Sequence, residues 1–188
     1  MSRTTIVVLV SLALLTFAGE KLSSKASVSD DTILLTQATT TQKEAPLADP
    51  SLIPVARVVD GDTIIVRIHN VDEKVRLIGV DTPETVDPRK TVQCFGKEAS
   101  QFVTSLLENK SVRLEPDPTQ GDRDHYGRLL RYVFLPDGTL LNRKIIAQGY
   151  GHEYTYRLSY QYQQDFKNAE RQAREHEKGL WAVGTCGN

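Results

Sequence analysis

The stretch VDGDTIIVRIHNVDEKVRLIGVDTPE, residues 59–84, decides how this chain is read. Residues 63–69 are rich in β-branched side chains and residues 75–80 form a second apolar run, so two strands are predicted. Residues 70–72 supply turn chemistry between them. Asp60-Gly61-Asp62-Thr63 stands just before the first strand, and Asp81-Thr82-Pro83-Glu84 just after the second. A hairpin returns its two ends to one place, which predicts that Asp60, Asp62, Asp81 and Glu84 gather there. Carboxylates brought that close repel one another unless a cation stands among them. The donors in reach are hard oxygens, with no Cys nearby and no His at ligand spacing, a set that suits Ca²⁺ or Mg²⁺ rather than zinc. Arg76, near the end of the second strand, adds a guanidinium. A metal beside an arginine is a natural receptor for a phosphate ester.

Three motifs follow one another in this chain: Asp60-Gly61-Asp62-Thr63, then the run from Arg76 through Gly79 to Glu84, then Tyr126-Gly127-Arg128. Together they resemble the staphylococcal nuclease (thermonuclease) family, over about residues 54–181. Asp-Gly-Asp alone is a common turn; three motifs in order, with the right elements between them, are far more specific. Pattern alone supports an α+β domain. The resemblance sharpens this to a five-stranded OB-fold β-barrel with three α-helices, and fold by itself does not fix function.

The resemblance also implies roles. Asp62 and Asp81 would hold Ca²⁺ through their carboxylates and Thr82 through its backbone carbonyl, with Asp60 and Thr63 behind them. Glu84 would hold or deprotonate the attacking water. Arg76 and Arg128 would grip the phosphate, a task suited to a planar fork that stays charged. Tyr126 would hydrogen-bond a terminal phosphate, and His125 stands at a position that is usually basic in the family. Tyr154 or Tyr156 would stack on a base, since aromatic faces accept any base. Residues 88–95 form a loop whose Arg89 and Lys90 can offer cations to phosphate. The four histidines, His69, His125, His152 and His176, share no metal-ligand spacing.

Outward from the hairpin, the chain reads as one ordinary domain with an appendage. Its 188 residues suffice for this. A hydrophobic share of 39% with 25% charged residues is that of a soluble globular protein. The formal net charge of −1 supplies no global basic field, so phosphate must be attracted locally. Arg3 followed by the apolar residues 6–18 predicts a signal segment, with cleavage after Ala18 or Ala26. The run is short for a bilayer span, although an uncleaved anchor is the alternative. Export follows in either case. Residues 27–51 are polar and show no sustained period, as in a disordered linker or propeptide, and residues 52–188 form the domain. Cys94 and Cys186 are the only cysteines, and an even pair in an exported chain predicts a disulfide.

Within the domain, spacing predicts strands over residues 55–59, 111–115 and 129–135. It predicts helices over 96–108, 140–148 with Thr139 as N-cap, and 161–177. Residues 116–127 form a polar loop and residues 150–160 an irregular aromatic segment. The function expected is an exported, Ca²⁺-dependent nuclease acting on single-stranded DNA and RNA and leaving 3′-phosphate ends. It would act as a monomer without a stable protein partner. The alternative is a non-catalytic OB module that only binds nucleic acid or protein. That alternative gives no chemical need for acids and arginines together.

Overall fold

β1 (Ile53–Val58), β2 (Thr63–Ile68) and β3 (Val71–Leu77) form an antiparallel meander in the computed structural model, which describes residues 51–85 and 93–186. β5 (Ser111–Glu115) pairs with β1, and β6 (Leu129–Phe134) pairs antiparallel with β5 and parallel with β3. The five strands therefore close into a barrel in the order β1-β2-β3-β6-β5. Closure removes the open edges that a five-stranded sheet would otherwise present. With helices α1 (Gly96–Leu107), α2 (Leu141–Ala147) and α3 (Gln163–Glu175), this is the expected OB-type α+β architecture. The expected signal segment, the linker up to residue 50 and Lys90 lie outside the described residues.

Alternation places Ile64, Val66, Val75, Leu77, Val112 and Val133 in the core. Val103 and Leu107 of α1, Leu141, Ile145 and Ile146 of α2, and Phe166 and Ala169 of α3 join the same cluster. These positions recur three or four residues apart, as a one-sided helix requires. Phe102 and Leu106 are only half-buried, on the flank of that stripe.

The hairpin is tighter than its sequence indicates. The turn is His69-Asn70, both with positive φ (48° and 64°), and Ile68 pairs directly with Val71. Two consecutive left-handed residues suit a two-residue hairpin turn. β3 therefore begins at Val71 rather than Val75. Its first residues, exposed Val71 followed by Asp72, Glu73 and Lys74, carry no apolar run. β3 also ends before Val80. The chain breaks at Ile78-Gly79 and resumes as a short strand, β4 (Val80–Asp81), which pairs with β7 (His152–Glu153) inside the segment expected to be irregular. Gly79 has φ +74°, and a Cβ there would lie 2.6 Å from the Tyr160 ring, so no side chain fits. Asn142, fully buried on α2, supports this break. Its Oδ1 accepts Val133 N–H at 2.9 Å, and its Nδ2 donates to Ile78 O at 2.9 Å.

Thr139 does not cap α2. The N-cap position is Leu140, without a side-chain cap hydrogen bond. Thr139 N–H donates to Asp137 Oδ1 at 2.9 Å, and its carbonyl accepts Leu135 N–H at 2.9 Å. Thr139 thus closes the preceding turn instead. Cys94 and Cys186 are joined by a disulfide, as expected. Trp181 packs back on the domain with the Arg174 guanidinium 3.7 Å above its ring.

Candidate active site

The first end of the hairpin places Asp62 at the mouth of the barrel, where β2 begins. It is only 7% exposed. Its Oδ1 accepts the Thr63 hydroxyl at 2.9 Å, and its Oδ2 accepts Thr82 N–H at 3.0 Å and the Thr82 hydroxyl at 3.3 Å. Asp60 stands behind it and accepts Asp62 N–H at 3.1 Å. Burial therefore costs Asp62 little, because its lone pairs are occupied.

Arg76 joins the two ends. One guanidinium nitrogen, Nη2, lies 3.2 Å from both Asp62 Oδ2 and Asp81 Oδ1. Nη1 donates to the Val80 carbonyl at 2.6 Å and the Leu77 carbonyl at 3.1 Å. These bonds hold the β3–β4 break open toward the cleft. Asp81 is half-exposed while Asp62 is not, so the two carboxylates present one fixed and one solvent-facing set of oxygens.

The electrostatics are those of crowded acids. Burial, and then the Asp62 charge, push the Asp60 carboxyl up to about 7. Burial, and then Asp62, also raise Asp81, against the opposing pull of Arg76 and His152. Both groups would be relieved by added positive charge. The four acids do not, however, form one cage. Among the described residues no three His, Cys, Asp or Glu side chains come together as a ready metal site. Glu84 lines the same cleft, its Oε1 accepting Thr85 N–H at 2.9 Å, and its charge adds to the upward push on Asp81. The donor set that would fit a hard cation is smaller: the Asp62 and Asp81 carboxylates with backbone oxygen.

Arg128 lines the same cleft. Its Nε donates to Asp124 Oδ2 at 2.6 Å, and its backbone N–H donates to Asp124 Oδ1 at 2.9 Å. Burial works to raise Asp124, but the hydrogen bonds from the Arg128 backbone and side chain outweigh it, and the carboxyl is held below the usual range. The loop bearing Arg128 is pinned to β3 by Arg123, which contacts Glu73 at 2.8 Å. Asp60, Asp62, Arg76, Asp81, Thr82, Glu84, Tyr126 and Arg128 thus line one cleft of about 390 Å³. A neighbouring cleft of about 450 Å³ shares Arg76, Asp81, Tyr126 and Arg128 and adds His125, Tyr154 and Tyr156. Tyr126 is 72% exposed and lies beside His125 with the rings tilted and their centroids 3.7 Å apart. Tyr154 and Tyr156 are both exposed, 6.4 Å apart.

Sequence reading missed Asp124, Gln93 and Asn142. Asp124 had a readable signal, an acid four residues before an arginine. Gln93 and Asn142 had none, because their partners are backbone atoms brought near only by folding.

The model of the family described as staphylococcal nuclease homologue matches residues 74–183. A thermonuclease of Staphylococcus hyicus is 44% identical over 135 residues, covering 72% of this chain and 78% of that protein. A thermonuclease of Staphylococcus intermedius is 43% identical over 127 residues, 68% of this chain and 74% of its own. The SPbeta prophage-derived endonuclease YokF of Bacillus subtilis strain 168 is 36% identical over 132 residues, 69% of this chain and 44% of its own. By fold, by site and by these likenesses, the chain belongs to the staphylococcal nuclease family.

Proposed function

We propose that this protein is an exported, Ca²⁺-dependent nuclease that cleaves single-stranded DNA and RNA by attack of water on phosphorus, leaving 3′-phosphate ends. Hydrolysis of phosphodiester bonds rests on family membership and on relatives named thermonuclease and endonuclease. The observation that carries the finer reading is the Arg76 guanidinium shared between Asp62 and Asp81, with Arg128 lining the same cleft. A purely binding module has no use for two acids bridged by one arginine.

Asp62, Asp81 and the Thr82 carbonyl are the groups assigned to hold the cation. When bound, it would neutralise phosphoryl charge and make a nearby water more acidic. Arg76 and Arg128 approach the phosphate from two walls and stabilise the charge that grows as the fifth oxygen adds. Arg128 also stands ready to stabilise the departing oxygen. Glu84 orients the attacking water and takes its proton. Tyr126 donates its hydroxyl to a terminal phosphate, with His125 beside it, while Tyr154 or Tyr156 offers a face to a base. Export is supported by the charged and apolar N-terminal pattern and by the disulfide, since such bonds persist in oxidising compartments. Incubation with single-stranded DNA or RNA, with Ca²⁺ or with chelator, tests the reading. Ca²⁺-dependent fragments with 3′-phosphate ends are expected, and retention of DNA without cleavage would favour the binding module.

A further inference from the structure

Glu84 is gripped at both ends of its backbone by one residue. Its N–H donates to Gln93 Oε1 at 2.8 Å, and Gln93 N–H donates to Glu84 O at 3.0 Å. Both residues line the cleft that holds Asp62, Asp81, Arg76 and Arg128.

Gln93 is in turn fixed from below. Its carbonyl accepts Gly96 N–H at 3.1 Å, where α1 begins. Gly96 packs so closely under the Glu84 segment that a Cβ there would lie 2.6 Å from Thr85 Cγ2 and 3.0 Å from Pro83 O. The next residue after Gln93, Cys94, is bridged to Cys186. Phe95 then turns with φ +66° and sets its ring 5.4 Å from that of Tyr150. A disulfide, a helix start and an aromatic contact therefore immobilise four consecutive residues directly beneath Glu84.

We propose that Gln93 is a positioning residue for Glu84. It clamps the Glu84 peptide from this immobile base and so sets the direction in which the Glu84 carboxylate enters the cleft. The inference rests on the reading that Glu84 handles the attacking water. Gln93 acts through Glu84 and need not touch the substrate. Loss of the side-chain half of the clamp loosens the Glu84 peptide at its N–H, and a displacement of about 1 Å at a reacting group costs up to roughly 10²-fold in rate. The effect falls on turnover, because neither of the two arginines assigned to the phosphate depends on this clamp.

Gln93→Met keeps the length of the side chain but removes its acceptor, while Gln93→Glu keeps an acceptor oxygen at the same reach. Steady-state kinetics on single-stranded DNA with Ca²⁺ should show kcat lowered about 10-fold in Gln93→Met, with KM within about twofold of the parent. Gln93→Glu should recover most of that loss. In a Glu84→Gln background, Gln93→Met should add nothing further, since the residue it positions has already lost its function. Parent kcat in Gln93→Met, a loss confined to KM, no recovery in Gln93→Glu, or an undiminished additional loss in the Glu84→Gln background would each overturn the assignment. If Glu84→Gln alone turns over at the parent rate, the role given to Glu84 fails and this inference with it. If Glu84→Gln is impaired and Gln93→Met is not, only the role of Gln93 fails.

Discussion

Arg128 is oriented by Asp124, which accepts its side-chain Nε–H at 2.6 Å and its backbone N–H at 2.9 Å through the two oxygens of one carboxylate. A single acid thus sets both the chain direction and the guanidinium plane of an arginine that lines the cleft. Asp124→Asn keeps the size but loses the charge and one acceptor. It should lower kcat on single-stranded DNA by about 10-fold or more, because Arg128 would no longer be held at its angle. The check is kcat beside the nucleotide Kd. An unchanged kcat would show that Arg128 needs no such support.

Removing the Asp81 carboxylate should separate metal binding from phosphate stabilisation. Asp81 is half-exposed and carries little of the fold, so Asp81→Ala should fold normally. Its Ca²⁺ affinity should fall roughly tenfold or more, with part of the activity recovered at high Ca²⁺. Arg76→Ala should instead lose roughly 10²–10³ in kcat with no recovery by metal. Calorimetry with Ca²⁺, beside kcat as a function of Ca²⁺ concentration, distinguishes the two. Equal rescue of both variants would refute the division of roles.

Glu84→Gln preserves shape and the Gln93 clamp on the backbone but removes the base. Turnover should fall by about 10² or more while affinity for a non-hydrolysable nucleotide holds or tightens, since one negative charge near the phosphate is gone. Single-turnover cleavage beside nucleotide titration measures both. Weakened nucleotide binding with intact turnover would contradict the assignment.

The Cys94–Cys186 bridge closes a loop across a sequence separation of 92 residues. In the chain-entropy account, Cys94→Ser with Cys186→Ser should cost roughly 4–5 kcal/mol at most. Denaturant unfolding of the double variant against the parent gives the value. A midpoint unchanged by the substitutions would show that the folded domain gains nothing from the link.

Asp117 makes part of the stability dependent on pH. Its carboxylate accepts Thr119 N–H at 2.7 Å, the Thr119 hydroxyl at 2.6 Å, Gln161 N–H at 2.8 Å and the buried Tyr132 hydroxyl. Burial works to raise this carboxyl, but the bonds from Gln161, Thr119 and Tyr132 outweigh it and hold it below the usual range. A lowered folded-state value means that the contribution is complete above the unfolded value of about 4 and is lost as pH falls through the folded one. Asp117→Asn should therefore destabilise by roughly 1–3 kcal/mol near neutrality, with the gap to the parent closing below about pH 4. Unfolding curves from acid to neutral pH test this. A gap that widens in acid would reverse the sign.

Strand content, the three helices and the acids and arginines of the cleft were legible in the sequence, because each carries a local signal. Apolar residues run together in Ile64, Ile65 and Val66 and recur at helical spacing in Val103, Leu107, Phe166 and Ala169. The acids sit in turn motifs, with Arg76 on the strand between them and Arg128 just after Tyr126-Gly127. Thr139 misled because a capping residue type can equally serve the turn before a helix, and only the backbone path decides which.

Chain order and residue type alone determined that this protein would have a hairpin with acids at its ends and an arginine near them. Tertiary structure decided what those groups do to one another. Closure of the barrel through the parallel β3–β6 pairing brings Arg128 into one cleft with Asp62. The break at Gly79 and the Asn142 hydrogen bonds turn Asp81 back toward Arg76, while the Glu84 backbone is fastened to Gln93. Sequence spacing records distance along the chain. Separation through space depends on backbone hydrogen bonds made between segments remote from one another, and those exist only in the folded domain.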